Sequence, residues 1–156
     1  MQVHLAAVGR LKDGGERDLY ARYAERFDSA GRALALGPLK LVELPESRAA
    51  TPELRKRDEA ERLLKAAGPS EVRMVLDEKG KLLTSEAFAA WLRERRDQGI
   101  KSLAILIGGP DGHGPQAIEA ATLRLSLGAM TLPHGLARVL IAEQLYRATT
   151  ILSGHP

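Results

Sequence analysis

The chain has 156 residues, enough for one domain with a substantial core. Its 44% hydrophobic and 28% charged residues are the balance of an ordinary soluble globular protein, and the absence of cysteine excludes disulfides and thiolate metal sites. The net charge of +3, from 23 basic and 20 acidic side chains, is only a mild bias toward polyanions.

Met1 to Gly9 has no basic leader and reads as a strand rather than a signal peptide. No apolar run reaches the roughly 20 residues of a membrane helix, so no membrane role is expected and the expected location is cytoplasmic. Val3 to Val8 is the first strand. Glu16 to Asp28 follows as a helix with Leu19, Tyr20, Tyr23 and Phe27 on one stripe. Leu39 to Leu44 is the second strand. Thr51-Pro52-Glu53 opens a helix with a capping hydroxyl, a first-turn proline and an early acid, and Gly68-Pro69 ends it.

Glu71 to Leu76 is the third strand, and Thr84 or Ser85 caps a helix carrying Phe88, Trp91 and Leu92. Ser102 to Ile107 is a continuous apolar run, as expected of a strand covered on both faces. A glycine-rich turn, a helix from Pro115 to Leu125, a short strand from Leu127 to Leu132 and a long helix from His134 to Leu152 complete the order. Alternating strands and helices predict an α/β fold with a largely parallel sheet flanked by helices.

In such sheets, ligands sit beyond the carboxyl ends of the strands, and three segments there carry suitable residues. Leu76-Asp77-Glu78-Lys79-Gly80-Lys81 is either a plain polar loop or the rim of a nucleotide pocket with Leu76 against a base. In Ile107-Gly108-Gly109-Pro110-Asp111-Gly112-His113-Gly114, four glycines in the last seven positions suit either a tight turn or a backbone that approaches a ligand closely. That run lacks the spacing and the Lys-Ser/Thr pair of a P-loop, which excludes an NTPase, and it is not the dinucleotide fingerprint.

The third segment, Leu127-Gly128-Ala129-Met130-Thr131-Leu132-Pro133-His134, leads into a helix that is apolar on every side from Val139 to Ala142. A small domain has little room for such a helix unless a second copy covers one side, so a homodimer is expected. Charges on it must be paired or used. Glu143 and Arg147, spaced i, i+4, form either an ion pair at the interface or an arginine turned to RNA and steadied by Glu143. His134 is either a hydrogen-bonded turn residue or a catalyst. His4, His113, His134 and His155 lack ligand spacing, so no metal is expected. The basic stretch Arg48, Arg55, Lys56, Arg57, Arg62 and Lys65, interleaved with acids, reads as a solvated helix face. With 4% aromatics there is no stacking platform for bases.

The combination of Leu76-Asp77 with Gly80-Lys81 and Ser85-Glu86, Ile107-Gly108-Gly109-x-x-Gly112, Leu125-Ser126 to Thr131-x-Pro133-His134, and Arg138-Val139 to Glu143-Gln144-x-Tyr146-Arg147-Ala148 closely resembles the bacterial ribosomal large-subunit pseudouridine N3-methyltransferases of the SPOUT superfamily. The opening Ala7 to Lys12 and the Tyr23 to Arg26 region also resemble it, so the likeness spans the chain. The resemblance implies a single SPOUT domain over 1–156, with a C-terminal trefoil knot and a cofactor-binding part at about 71–156, which no pattern rule would suggest. It implies a homodimer and S-adenosyl-L-methionine bound by Leu76, Gly108, Gly109, Leu127, Gly128, Ala129, Met130, Thr131 and Leu132.

It further implies methylation of N3 of a pseudouridine in 23S rRNA of the assembled ribosome. The alternatives are a SPOUT enzyme acting on tRNA or another rRNA nucleotide, or a non-catalytic ribosome-binding factor. His134 is the candidate base or target-positioning residue, Arg138 the candidate contact to substrate, and Glu143 the group expected to orient Arg138. Family members commonly run a few residues further, into an aromatic, histidine and basic tail, whereas this sequence stops at Pro156.

Overall fold

A computed structural model of the chain describes residues 1–155. Five strands, β1 (Gln2–Val8), β2 (Leu39–Leu44), β3 (Val72–Leu82), β4 (Ser102–Ile107) and β5 (Leu123–Ser126), form one sheet in the order β2-β1-β4-β3-β5 with every pairing parallel. Five helices alternate with them: α1 (Gly15–Gly31), α2 (Pro52–Ala67), α3 (Ser85–Asp97), α4 (Pro115–Glu119) and α5 (His134–Leu152).

The two-residue period of the strands divides the core. Val3, Leu5 and Ala7 of β1, with Leu103, Ile105 and Ile107 of β4, face α1, α3 and α5, while Ala6, Val8, Ala104 and Leu106 face α2 and α4. Every residue from Leu103 to Ile107 is at most 4% exposed, which is why β4 reads as an unbroken apolar run. Local signals behave as the sequence predicts at α2, where the Thr51 hydroxyl accepts from the Leu54 N–H at 3.2 Å and Gly68 closes the helix with φ +60°.

Four expectations are corrected. The strand that begins after Glu71 does not stop at Leu76. It runs to Leu82 through a bulge in which both Leu76 and Lys81 pair with Leu125, and Gly80 is needed there because a Cβ would lie 2.7 Å from the Arg124 carbonyl. The helix from Pro115 ends at Glu119 instead of Leu125, and the last strand is β5, Leu123–Ser126, not Leu127 to Leu132, which is a loop. Leu19 faces outward at 36% exposure, so the stripe of α1 rests on Tyr20 and Phe27.

Finally, α5 is not covered on all sides within one chain. Val139, Ile141 and Ala142 are buried, but Leu136 and Leu140 are 42% and 40% exposed. Pro156, where the family's tail would continue, lies outside the described residues. Among the described residues no helix is long and apolar enough to cross a membrane, and no cluster of His, Cys, Asp or Glu could hold a metal ion.

Candidate active site

A cleft of about 730 Å³ opens beyond the carboxyl end of β4 and beside the β3 bulge. Its size falls within the roughly 300–1,000 Å³ of small-molecule sites.

One wall is the turn after β4. Gly109 and Gly112 form an antiparallel bridge, with the Gly112 N–H donating to the Gly109 carbonyl at 3.0 Å and Gly112 at φ +89°. Gly109 has no room for a side chain, since a Cβ would lie 2.8 Å from Glu59 Oε1 of α2. The turn is fastened from two sides. Arg55 Nε of α2 donates to Asp111 Oδ2 at 2.8 Å, and this bond holds the Asp111 carboxyl below the usual range. His113 Nε2 donates to the Leu76 carbonyl at 3.0 Å, and burial pushes the pKa of His113 down.

The second wall is the bulge. Asp77 accepts from Arg124 at 2.6 Å and from the Lys79 N–H at 3.1 Å. The third is the loop after β5. Gly128, at φ +135°, donates its N–H to Ser126 Oγ at 3.1 Å, and Thr131 Oγ1 donates to Glu78 Oε2 at 3.1 Å.

The structure gathers most of the residues singled out in the sequence. Leu76, Gly108, Gly109, Leu127 and Gly128 line the cleft, as do Met130, Thr131, Leu132 and His134. Ala129 belongs to the same loop but not to the wall. Arg138 stands behind the wall, fully buried.

The partners of Arg138 differ from expectation. Its Nη1 donates to Glu43 Oε2 at 2.6 Å, and its Nη2 lies 3.1 Å from both the Gly9 carbonyl and His134 Nδ1. The carboxylate that orients it is therefore Glu43, not Glu143. Glu143 is ion-paired with Arg147 one turn on and accepts from Gln144 at 2.9 Å, outside the cleft.

Sequence reasoning also passed over Glu43, Gly9, His113 and the Arg55–Asp111 pair. Glu43 left a signal: it shares strand parity with Leu39 and Leu41, and it pairs in register with Ala7, whose side faces the core. An acid at a core position requires a buried cation. The basic stretch is likewise not wholly solvated, because Arg55 reaches the glycine turn and Arg62 Nη1 donates to the Pro45 carbonyl at 2.7 Å.

The lining suits a ligand that carries positive charge and an aromatic base. Leu76, Ile107, Leu127 and Leu132 give apolar faces, exposed backbone comes from the glycines, and Asp77, Glu78 and Asp111 supply carboxylates at the rim. Asp77 and Asp111 are already paired with Arg124 and Arg55, which leaves Glu78 as the rim carboxylate without an ion pair among the described residues.

Comparison with known proteins gives a consistent result. Residues 1–156 match the family described as "Predicted SPOUT methyltransferase". The chain is 56% identical to the "Ribosomal RNA large subunit methyltransferase H" of Rhizobium etli and 54% identical to that of Rhizobium leguminosarum, with 100% of this chain and 98% of each relative aligned. Among solved structures it resembles a probable methyltransferase from Bordetella pertussis Tohama I at 18% identity and TM-score 0.55, covering 94% of this chain and 95% of that one. A probable methylase family protein from Haemophilus influenzae shares the fold at 15% identity and TM-score 0.53, with 98% of this chain and 67% of that one covered.

Proposed function

The chain belongs to the SPOUT methyltransferase family, and from that premise we propose that it methylates N3 of a pseudouridine in 23S rRNA, using S-adenosyl-L-methionine on the assembled ribosome. The observation that carries this reading is the cleft beside β4, where the glycine turn, the Leu76 bulge and the Leu127–Leu132 loop meet with His134 at the edge.

When bound, S-adenosyl-L-methionine supplies a methyl group already activated by its sulfonium. The chain then has to bind, orient and stabilise charge. Leu76, Ile107, Leu127 and Leu132 would hold the adenine, the backbone of Gly108 and Gly128 would approach it closely, and Glu78, which has no ion pair among the described residues, would favour its cationic groups. Toward RNA, His134 would meet the target base, a role supported by its position in the cleft lining and its contact with the buried Arg138.

The whole chain is taken as one SPOUT domain, with the knotted, cofactor-binding part at about 71–156 and the protein working in the cytoplasm. The active form is a homodimer. Leu136 and Leu140 lie one turn apart on α5, and Leu140 shares a groove of about 250 Å³ with Leu82, which is 71% exposed. Three exposed leucines on one side of a single chain favour burial against a second copy.

The test is to supply cofactor labelled in the methyl group and offer intact ribosomes, free large subunits, naked 23S rRNA and tRNA. Label should enter 23S rRNA, and most efficiently in assembled ribosomes. Label in tRNA would move the substrate to another RNA. Failure to bind the cofactor at all, read by calorimetry, would make the chain a passive ribosome-binding factor.

A further inference from the structure

The first turn of α5 fixes the position of one hydrogen atom, and that hydrogen bears on the chemistry. A guanidinium has no lone pair, so each of its nitrogens only donates. The two hydrogens of Arg138 Nη2 have two acceptors at 3.1 Å, the Gly9 carbonyl and His134 Nδ1, while Nη1 is engaged by Glu43 Oε2 at 2.6 Å. Nδ1 must therefore offer its lone pair, which places the hydrogen of the neutral imidazole on Nε2.

The opposite tautomer would set an N–H against the N–H of a fully buried arginine and remove one of that arginine's acceptors. The ring itself is seated on Gly9. At φ +96°, a Cβ on residue 9 would lie 2.8 Å from His134 Cε1 and 3.1 Å from Nε2. Glu43 is held in turn, because its Oε2 also accepts the Leu11 N–H at 2.7 Å. Among the described residues Nε2 has no hydrogen-bond partner, and His134 lines the cleft.

We propose that His134 serves methyl transfer as a hydrogen-bond donor through Nε2–H, and not as a base, with Arg138, Glu43 and Gly9 as the positioning residues that select this tautomer. The inference rests on the methyl-transfer reading of the cleft. The imide N3–H of the target base gives its proton to water or hydroxide, and the resulting charge is shared with the flanking carbonyl oxygens. Nε2–H donates to one of those oxygens and stabilises the anion where it develops. The N3 lone pair then forms the bond to the methyl carbon, the methyl–sulfur bond breaks, and its electron pair stays on sulfur as the sulfonium becomes a neutral thioether.

The direct test needs no variant with altered activity. A long-range proton–nitrogen NMR spectrum of the nitrogen-15-labelled wild-type protein reports which ring nitrogen of each neutral histidine carries the hydrogen. The His134 signals are identified by their loss in His134→Gln. A pyrrole-type Nε2 and a pyridine-type Nδ1 are expected, and a hydrogen on Nδ1 overturns the proposal. Arg138→Met should let the Nδ1–H form appear, an effect that a merely structural arginine would not produce.

Single-turnover methylation then tests the role. His134→Gln, whose amide N–H reaches the same region, should stay within about tenfold of wild type, and His134→Ala should fall by about 10²–10³-fold, the loss typical of removing one donor from a developing anion. Unchanged calorimetric cofactor binding would show that both variants are folded. Equal loss in the two variants overturns the donor role. If wild type methylates no RNA, the reading of the cleft itself fails, and the wild-type spectrum tells that failure apart from an error in the tautomer.

Discussion

The inner and outer faces of α5 carry similar residues to opposite ends. On the inner face Arg138 has no exposed surface and is enclosed by Glu43, Gly9 and His134. On the outer face Arg147 is paired with Glu143 one turn away and keeps 52% of its side chain in solvent, and Leu136 and Leu140, two to three turns earlier, are exposed as well. The inner arginine has a geometry set by the sheet and imposes it on a histidine at the cleft. The outer arginine and the exposed leucines earlier on the same helix have few partners within one chain. One helix thus completes the site internally and presents the surface on which a second copy would settle.

The largest effect should come from breaking the inner face. Arg138→Met leaves Glu43 without its cation, and loss of a buried partner typically costs about 3–5 kcal/mol. Because the Glu43 side chain keeps 28% exposure, the expected loss is about 3 kcal/mol, at the low end of that range. Urea unfolding measures it. A loss below about 1 kcal/mol, typical of surface pairs, would erase the distinction between the two faces.

The outer face should respond in association instead. Leu136→Asp with Leu140→Lys should shift the protein to monomer in sedimentation, since burying each leucine contributes about 1.5–3 kcal/mol. The unfolding free energy measured on the monomer should hardly move. A double variant that still sediments as a dimer would remove these leucines from the interface.

A third prediction extends the contrast to the histidines. Burial lowers the folded-state pKa of His113 below its ordinary 6.5. The unfolded chain therefore takes up the proton first, so this contribution is complete above about pH 6.5 and is lost as pH falls toward the folded pKa. His113→Gln should flatten the decline in stability just below about pH 6.5, while losses from Asp77 and Asp111, whose pKa values are depressed, come at lower pH. An unchanged profile would mean that His113 is not buried in its neutral form. The smallest effect belongs to Arg147→Ala, which should cost less than about 1 kcal/mol in the same unfolding assay.

These contrasts also mark where the sequence could be read and where it could not. Among the elements, β4 and α2 were legible because each matches a local rule: an apolar run between glycines, or a capping hydroxyl followed by a first-turn proline. The segment Gln116 to Leu125 misled because Gln-Ala-Ile-Glu-Ala-Ala favours helix locally, whereas pairing of Leu123–Ser126 with β3 ends the helix after one turn. The β3 bulge was hidden for a related reason. Asp77 to Lys81 has the composition of a loop, and only the strand partner Leu125 shows that the ladder resumes beyond it.

Within the site, the cleft-lining Gly108 and Gly109 were visible because glycine after a buried strand has few other uses. The Arg138–Glu43 pair was not, because its members stand 95 residues apart. Glu143, the nearest acid in sequence, was the natural but wrong partner.

The measurement that bears most directly on this account is identification of the modified nucleoside. Ribosomes lacking the modification would be incubated with the protein and S-adenosyl-L-methionine, and 23S rRNA then digested and analysed by mass spectrometry. The account predicts a single pseudouridine that is one methyl heavier, with the methyl on N3. A methyl on another nucleotide or another atom, or on tRNA alone, would contradict it.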